Sequence, residues 1–418
     1  MNTRTTVIIP DTVTKIKGDA FRGCIIKHIF IPDSVTFIGA AFCGVPLEEI
    51  TIPDSVEFIA DGAFEGCDKL KEAVFPASYY EVPNETFQRC TALKRITIPG
   101  AVEFIGFSAF DGCSALEEVE IKTSSKELKI KSFAFLNCSQ LRSINFPDRL
   151  TSVDREAFKG CTSLKEVDLP DSLTEIRLRV FEGCTSLEDV RLPSGLEEIS
   201  SGLFRNCTAL SSIEIPAKMD NIDSEAFKDC TSLESVTFLG SLRMISDRAF
   251  QGCGALSSIT LPDSVEFIAD AFLDCPALRS ITVPASAREI LDHAFGYRYN
   301  SEKDEYIKDE GFVIYGYRDT DAQRYADEFG FTFVALDEEE PILGDADGDG
   351  KVTVVDVTNI QRHLANLPVS KDFNERAAII TGDVLDITDA TYIQRYLAHL
   401  PVPDGIGEAI KGRVGFDA

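Results

Sequence analysis

One arrangement of apolar and polar positions recurs along the chain from near its start to residue 295. A clear copy is Cys161, Leu164, Val167, Leu169, Pro170, Leu173 and Ile176. Generalised, the unit reads A-F-x-x-C-x-x-L-x-x-[IV]-x-[IVLF]-P-x-S-[VL]-x-x-I. The part before the proline ends in alternation, which predicts a short strand with one buried face. Proline cannot donate to a ladder and ends that strand. An Asp-Ser or similar pair then turns the chain, and V-x-x-I supplies a second short apolar segment. Cys24, Val45, Cys67, Cys90, Cys113, Cys138, Cys161, Cys184, Cys207, Cys230, Cys253 and Cys275 fill one slot at intervals of 21 to 25 residues, most often 23. The phenylalanine slot recurs from Phe21 through Phe158 to Phe295.

A unit of this length cannot bury its own apolar face, so neighbours must stack into a solenoid. With short parallel strands about 4.8 Å apart, about thirteen rungs would span roughly 60 Å. The phenylalanines would then form a stacked aromatic spine. The strand positions flanking the central Ile or Val should face the concave side; they include Glu118, Glu120, Glu166, Asp168, Asp189, Arg191 and Glu214. Over about residues 5–337 the repeat resembles the BspA-like class of leucine-rich repeats, found largely in bacterial and protozoan surface proteins. The resemblance implies an extended face that recognises a protein or a glycan, without naming the ligand.

Twelve cysteines invite a disulfide framework, but eleven of them share one in-register slot, and an odd number cannot all pair. The spacing predicts a column of thiols packed as small hydrophobes. Cys43 is out of register and is expected to be exposed. Zinc is not expected, because there is neither a C-x2-C pair nor a nearby histidine pair.

After Phe295 the pattern breaks. Residues 297–310 read as a polar loop, Phe312–Tyr317 and Phe331–Leu336 as strands. Thr320-Asp321-Ala322-Gln323 has the form of a capping box opening a helix that runs to about Phe329, with Gly330 as its stop. The Y-G-Y…A-x-x-Y-A…G pattern resembles the cap of the same family, which would cover the apolar edge of the last rung.

Charge narrows the range of partners. The chain has 41 Lys+Arg against 69 Asp+Glu, a net of −28. That argues strongly against a nucleic-acid partner, which needs clustered cations, and disfavours anionic membrane surfaces. Residues 341–418 hold 7 Lys+Arg and 12 Asp+Glu, so the acidity belongs mainly to the solenoid. No apolar stretch is long enough for a membrane span. The polar opening MNTRTTVIIP is no secretory signal; the reading is a secreted protein whose signal peptide is absent from this chain.

The strongest chemical signal follows the acidic linker. Calcium takes six to eight oxygens, which an EF-hand-type loop supplies from positions 1, 3, 5, 7, 9 and 12. Here these are Asp345, Asp347, Asp349, the Lys351 carbonyl, Thr353 and Asp356, with Gly350 at the sharp turn. A helix follows, and residues 354–369 are mirrored by 387–402 at an offset of 33. In the second loop Asp383, Asp386 and Asp389 remain, Ile379 stands at the first ligand position, and the loop reads as one residue short. Calcium is therefore expected at the first loop, and weakened or lost at the second; the alternative there is an altered loop that closes around calcium through backbone carbonyls. No helix is expected to enter either loop, which argues against a calcium sensor built on opening helix pairs.

Two such loop-helix units make a small all-α module that resembles a dockerin, over about residues 342–405. That resemblance implies a calcium-dependent partner, the cohesin domain of a scaffoldin, and a cell-surface location through the cellulosome. It also implies that Val354, Val355, Gln361 and Arg362 in the first unit, and Ile387, Thr388, Gln394 and Arg395 in the second, face cohesin. The recurrence of Gln and Arg would allow two docking orientations. The expected organisation is a solenoid over 1–299, a cap over 300–337, a linker over 338–343 and the docking module over 344–418.

No Ser, His or Cys constellation suggests acyl transfer, and no separate catalytic domain fits within the length. The chain therefore reads as a non-catalytic binding or adhesion protein. The alternative is a polysaccharide hydrolase using carboxylates of the concave face, since paired carboxylates about 5–9 Å apart cleave glycosides.

Overall fold

The computed structural model describes residues 6–337, 342–380, 385–403 and 406. They fall into two units divided between Leu336 and Asp337.

The first unit is a β-solenoid of about 14 turns. Most rungs contribute two short strands, which stack in parallel on neighbouring rungs in sheets of two to five strands. On the first side Glu118–Ile121 lies between Arg95–Ile98 and Ser143–Ile144, with Val119 opposite Ile96 and Ile144. Its residues alternate between exposed and buried, as the pattern requires. The V-x-x-I segment proves to be a second ladder: Ile222 of Asn221–Ile222 pairs with Ile199 on one side and Ile245 on the other. Two residues per rung suffice there, because Ile fills the core and the next residue already turns.

The third side is built of consecutive turns carrying A-F-x-x-C. The residue before cysteine lies at positive φ, for example Gly160 at 75°, Asn206 at 59° and Asp229 at 60°. Gly, Asn and Asp tolerate that left-handed conformation best, which accounts for the slot's composition. Backbone bonds also join rungs here, such as Phe158 N–H to the Val180 carbonyl at 3.0 Å.

Inside, the phenylalanine slot forms the expected spine. From Phe42 to Phe272 the rings are buried. Successive centroids from Phe21 to Phe272 lie 5.1–5.8 Å apart, with ring planes within 16°. Beside it runs the thiol column. All twelve cysteines are free and ten are buried. Each buried Sγ donates to the carbonyl of the phenylalanine in the preceding rung, at 3.1–3.3 Å. Cys24 departs from the expected column: it is exposed. Burial pushes the thiols of Cys184, Cys230 and Cys275 up to about 12. A disulfide-exchange reagent is therefore expected to modify Cys24 and Cys43 in the native protein and the other ten only after unfolding, since the thiolate is the reactive form. Counting modified thiols by intact mass checks this; fast reaction of more than two would contradict the packing.

The end of the solenoid differs from expectation in two places. Residues 297–310 are not a loop. Tyr297–Asn300 and Glu305–Lys308 form an antiparallel hairpin. Its turn is fixed by the Asn300 side-chain oxygen, which accepts the N–H groups of Glu302 and Lys303. The capping box also fails to close at helix α1 (Asp321–Phe329). The Thr320 hydroxyl donates to the Tyr317 carbonyl at 2.6 Å instead, and Gln323 accepts from Asp319 N–H. Gly330 ends the helix at φ 69° as expected. Tyr325 anchors α1 on the last rung, its hydroxyl donating to the carbonyls of Asp292 and Phe295. Val313–Gly316 and Thr332–Ala335 continue the first ladder in parallel. Gly316 is required there, since a Cβ would meet the Ala322 methyl at 2.8 Å.

The second unit contains helices α2 (Val354–Leu364), α3 (Glu375–Ala378) and α4 (Ile387–Leu397). Helices α2 and α4 pack together over Leu343, Ala346, Val357, Ile360, Ala378, Ile380, Leu385, Ala390 and Ile393. Leu343 thus belongs to this core rather than to the linker expected over 338–343; residues 338–341 lie outside the described ones. The one-turn helix α3 precedes the second loop, where no entering helix was expected.

Candidate functional site

The acidic loop over residues 345–356 folds around its own carboxylates. Asp345 is buried, and its two oxygens accept the N–H groups of Asp349 and Gly350 at 3.2 and 2.8 Å. Asp347 also accepts from Asp349, and Asp349 accepts from Lys351. These bonds coil the backbone inward, and Gly350 makes the turn at φ 81°. Carboxylate oxygens of Asp345, Asp347 and Asp349 consequently lie within 4.8 Å of one another. Burial, then the charges of Asp356 and Asp349, raise the Asp347 carboxyl above its ordinary value. Three convergent carboxylates repel, and a hard cation with oxygen ligands fits that donor set.

Thr353 and Asp356 stand at the start of α2 rather than in this trio. The Thr353 hydroxyl accepts from Val355 N–H, and buried Asp356 accepts from Asp347 and Thr353 N–H at 3.0 and 2.6 Å. They form a capping box that joins loop to helix.

The second loop repeats this frame. Asp389 is buried and accepts the N–H groups of Ile380 and Asp386 at 2.8 and 2.9 Å, and Asp386 caps α4 through Thr388 N–H. Ile380 lies nine residues before Asp389, as Asp347 does before Asp356. The loop is therefore not one residue short. At the 33-residue offset, Ala378 rather than Ile379 matches Asp345. Asp383 lies outside the described residues.

The eight helix residues singled out for docking, Val354, Val355, Gln361, Arg362, Ile387, Thr388, Gln394 and Arg395, are all exposed. Val354 and Ile387 are 68% and 58% accessible, unusual for apolar side chains opening a helix. Arg362 also donates to the Pro368 carbonyl.

On the solenoid, Glu118, Glu120, Glu166, Asp168, Asp189, Arg191 and Glu214 lie on the exposed face of the first ladder. Glu118 pairs with Arg95 at 3.6 Å, Glu120 with Lys122 at 2.5 Å and Asp168 with Arg191 at 3.2 Å. Glu166 is opposite Asp189 in register. Hydrogen bonds from Lys122 and Thr97 hold the Glu120 carboxyl below its ordinary range.

The family described as BspA type leucine rich repeat region matches residues 2–117, 39–161, 105–231 and 197–308. The chain belongs to this family. Among solved structures, this BspA-type chain is similar to a leucine-rich repeat protein from Bacteroides ovatus, at 26% identity over 79% of this chain and 92% of that one, TM-score 0.46. It is also similar to a leucine rich cell surface protein from Faecalibacterium prausnitzii (22%, 72% and 89%, TM-score 0.35) and to the pneumococcal vaccine antigen PcpA (16%, 80% and 89%, TM-score 0.41). No curated protein matches. No helix among the described residues is long and apolar enough to cross a membrane.

Sequence reasoning missed part of the BspA-type chain's exposed apolar surface. Leu367 and Leu400 are 56% and 53% accessible, and Leu364 and Tyr396 are exposed as well. The signal was the repeated L-A-x-L-P-V that closes both mirrored segments. A further depression of about 460 Å³ is lined by Thr123, Ser125, Glu127 and Arg149. There the rung between Cys113 and Cys138 is two residues longer than usual. Arg149 stands where other rungs have the turn serine, and it donates to the Val102 carbonyl two rungs away at 2.6 Å, whereas Ser172 reaches only the preceding rung at the Leu150 carbonyl.

Proposed function

We propose that the chain is a non-catalytic recognition protein of two parts. The solenoid presents an extended surface to a protein or glycan, and the second unit is a dockerin that binds the cohesin domain of a scaffoldin when calcium is present. This reading makes it a secreted protein held at the cell surface through a cellulosome. The observation that carries it is the pair of matched capped helices with exposed apolar first turns, one of them behind three convergent carboxylates. Asp345, Asp347, Asp349, the Lys351 carbonyl, Thr353 and Asp356 would hold the ion. Calcium bound there would offset two of the trio's three negative charges.

The hydrolase alternative finds no support. Glu118, Glu120 and Asp168 are engaged in ion pairs, and Glu120 is shifted downward, opposite to the raised acid that glycoside cleavage needs.

A panel of immobilised cohesins tests the docking half. The full chain should be retained from calcium-containing buffer and released by EDTA. Absent or calcium-independent retention would sink the dockerin assignment. Arrays of glycans and surface proteins address the solenoid.

A further inference from the structure

We infer that the second unit takes one divalent cation, not two, and that its second half folds without any ion, with apolar packing by Ala378 and Ile380 where the first half has Asp345 and Asp347. This rests on reading the first loop as a calcium site.

The two halves share a backbone frame. Asp356 and Asp389 are both buried and both accept N–H groups from the residues nine and three before them. Both helices open with a closed capping box. With no residue missing between these anchors, the 33-residue offset can be applied position by position. It sets Ala378 at the place of Asp345 and Ile380 at the place of Asp347. Gly382 falls at the place of Asp349 in the sequence. The difference between the halves is thus concentrated in the residues that form the carboxylate trio.

Ala378 and Ile380 are 0% and 1% accessible and pack with Leu385 and Ile393 in the shared core. Neither side chain offers an oxygen, and calcium needs six to eight. What a cation does in the first half, drawing together groups that repel, is done in the second by burial of apolar surface. The helical turn α3, capped by Asn374, adds backbone bonds on the approach to the second loop.

The two halves should therefore respond differently to chelation. The test uses the full chain, stripped of metal and titrated with calcium, with binding counted by calorimetry and by native mass spectrometry. One ion per chain is expected, falling to none in Asp345→Ala. Hydrogen exchange is compared with and without EGTA. Chelation should speed exchange of the Val354–Val357 amides at least about tenfold while α4 amides keep their protection. Two ions per chain would overturn the inference and leave the calcium reading standing. No ion would overturn both. Equal loss of protection in α2 and α4 would overturn the ion-free second half even at a stoichiometry of one.

Discussion

Phe158→Ala should lower the stability of the solenoid by about 3–5 kcal/mol, the usual cost of emptying a buried aromatic site. The Phe158 ring is fully buried between Phe135 and Phe181, with centroids 5.1 and 5.7 Å away, and the edge of Phe146 closes the site at 5.5 Å. Collapse should heal the gap poorly, because backbone hydrogen bonds tie this turn to both neighbours, from Phe135 N–H to the Ala157 carbonyl and from Phe158 N–H to the Val180 carbonyl. Solenoid stability depends on each unit's contact with its neighbours. The damage should therefore weaken coupling between the two flanks and broaden the denaturant transition. Leu178→Ala, at a position 36% accessible, serves as control and should stay within about 1 kcal/mol. A loss at Phe158 no larger than the control's would show that the spine is not a principal source of stability.

Asp345→Ala should reduce calcium affinity at least about tenfold to hundredfold, since even changes outside the coordinating shell commonly cost that much. Asp345 is the buried member of the trio and also the group that closes the loop through the N–H groups of Asp349 and Gly350. Its loss removes a ligand and the bonds that set the others in place. Asp386→Ala removes the N-cap of α4, the counterpart of Thr353, and should leave affinity within about threefold, while costing about 1 kcal/mol as a lost helix cap. Calorimetric titration of both variants decides the matter. Wild-type affinity in Asp345→Ala would remove the first loop as the binding site.

The solenoid was legible because its information is one-dimensional. A period of 23 with Phe, Cys, Leu and Ile in fixed slots states which side chains share a core before any coordinate is known. The second ladder was only half legible: V-x-x-I showed an apolar segment, but two-residue strands leave no alternation to read. The hairpin over 297–308 was hidden for a different reason. Both of its faces carry exposed or half-exposed residues such as Arg298, Tyr306 and Ile307, so no apolar-polar contrast marks it. At Thr320 the motif was present, yet a nearby carbonyl from Tyr317 competed for the hydroxyl. The acidic loop declared itself by spacing. Its partner was misaligned because a missing glycine resembled a missing residue, and only the hydrogen bonds of Asp389 restored the register.

The thiol column has a consequence for how this molecule can be interrogated. From Cys67 to Cys275 there is one masked sulfur per turn, each at a distinct address in the chain. A slow alkylating reagent would mark each sulfur only when its own turn opens, and peptide mapping would then give the opening free energy turn by turn along the array. Few folds allow the profile from frayed ends to cooperative middle to be measured without introducing a probe. Here the sequence already carries the scale.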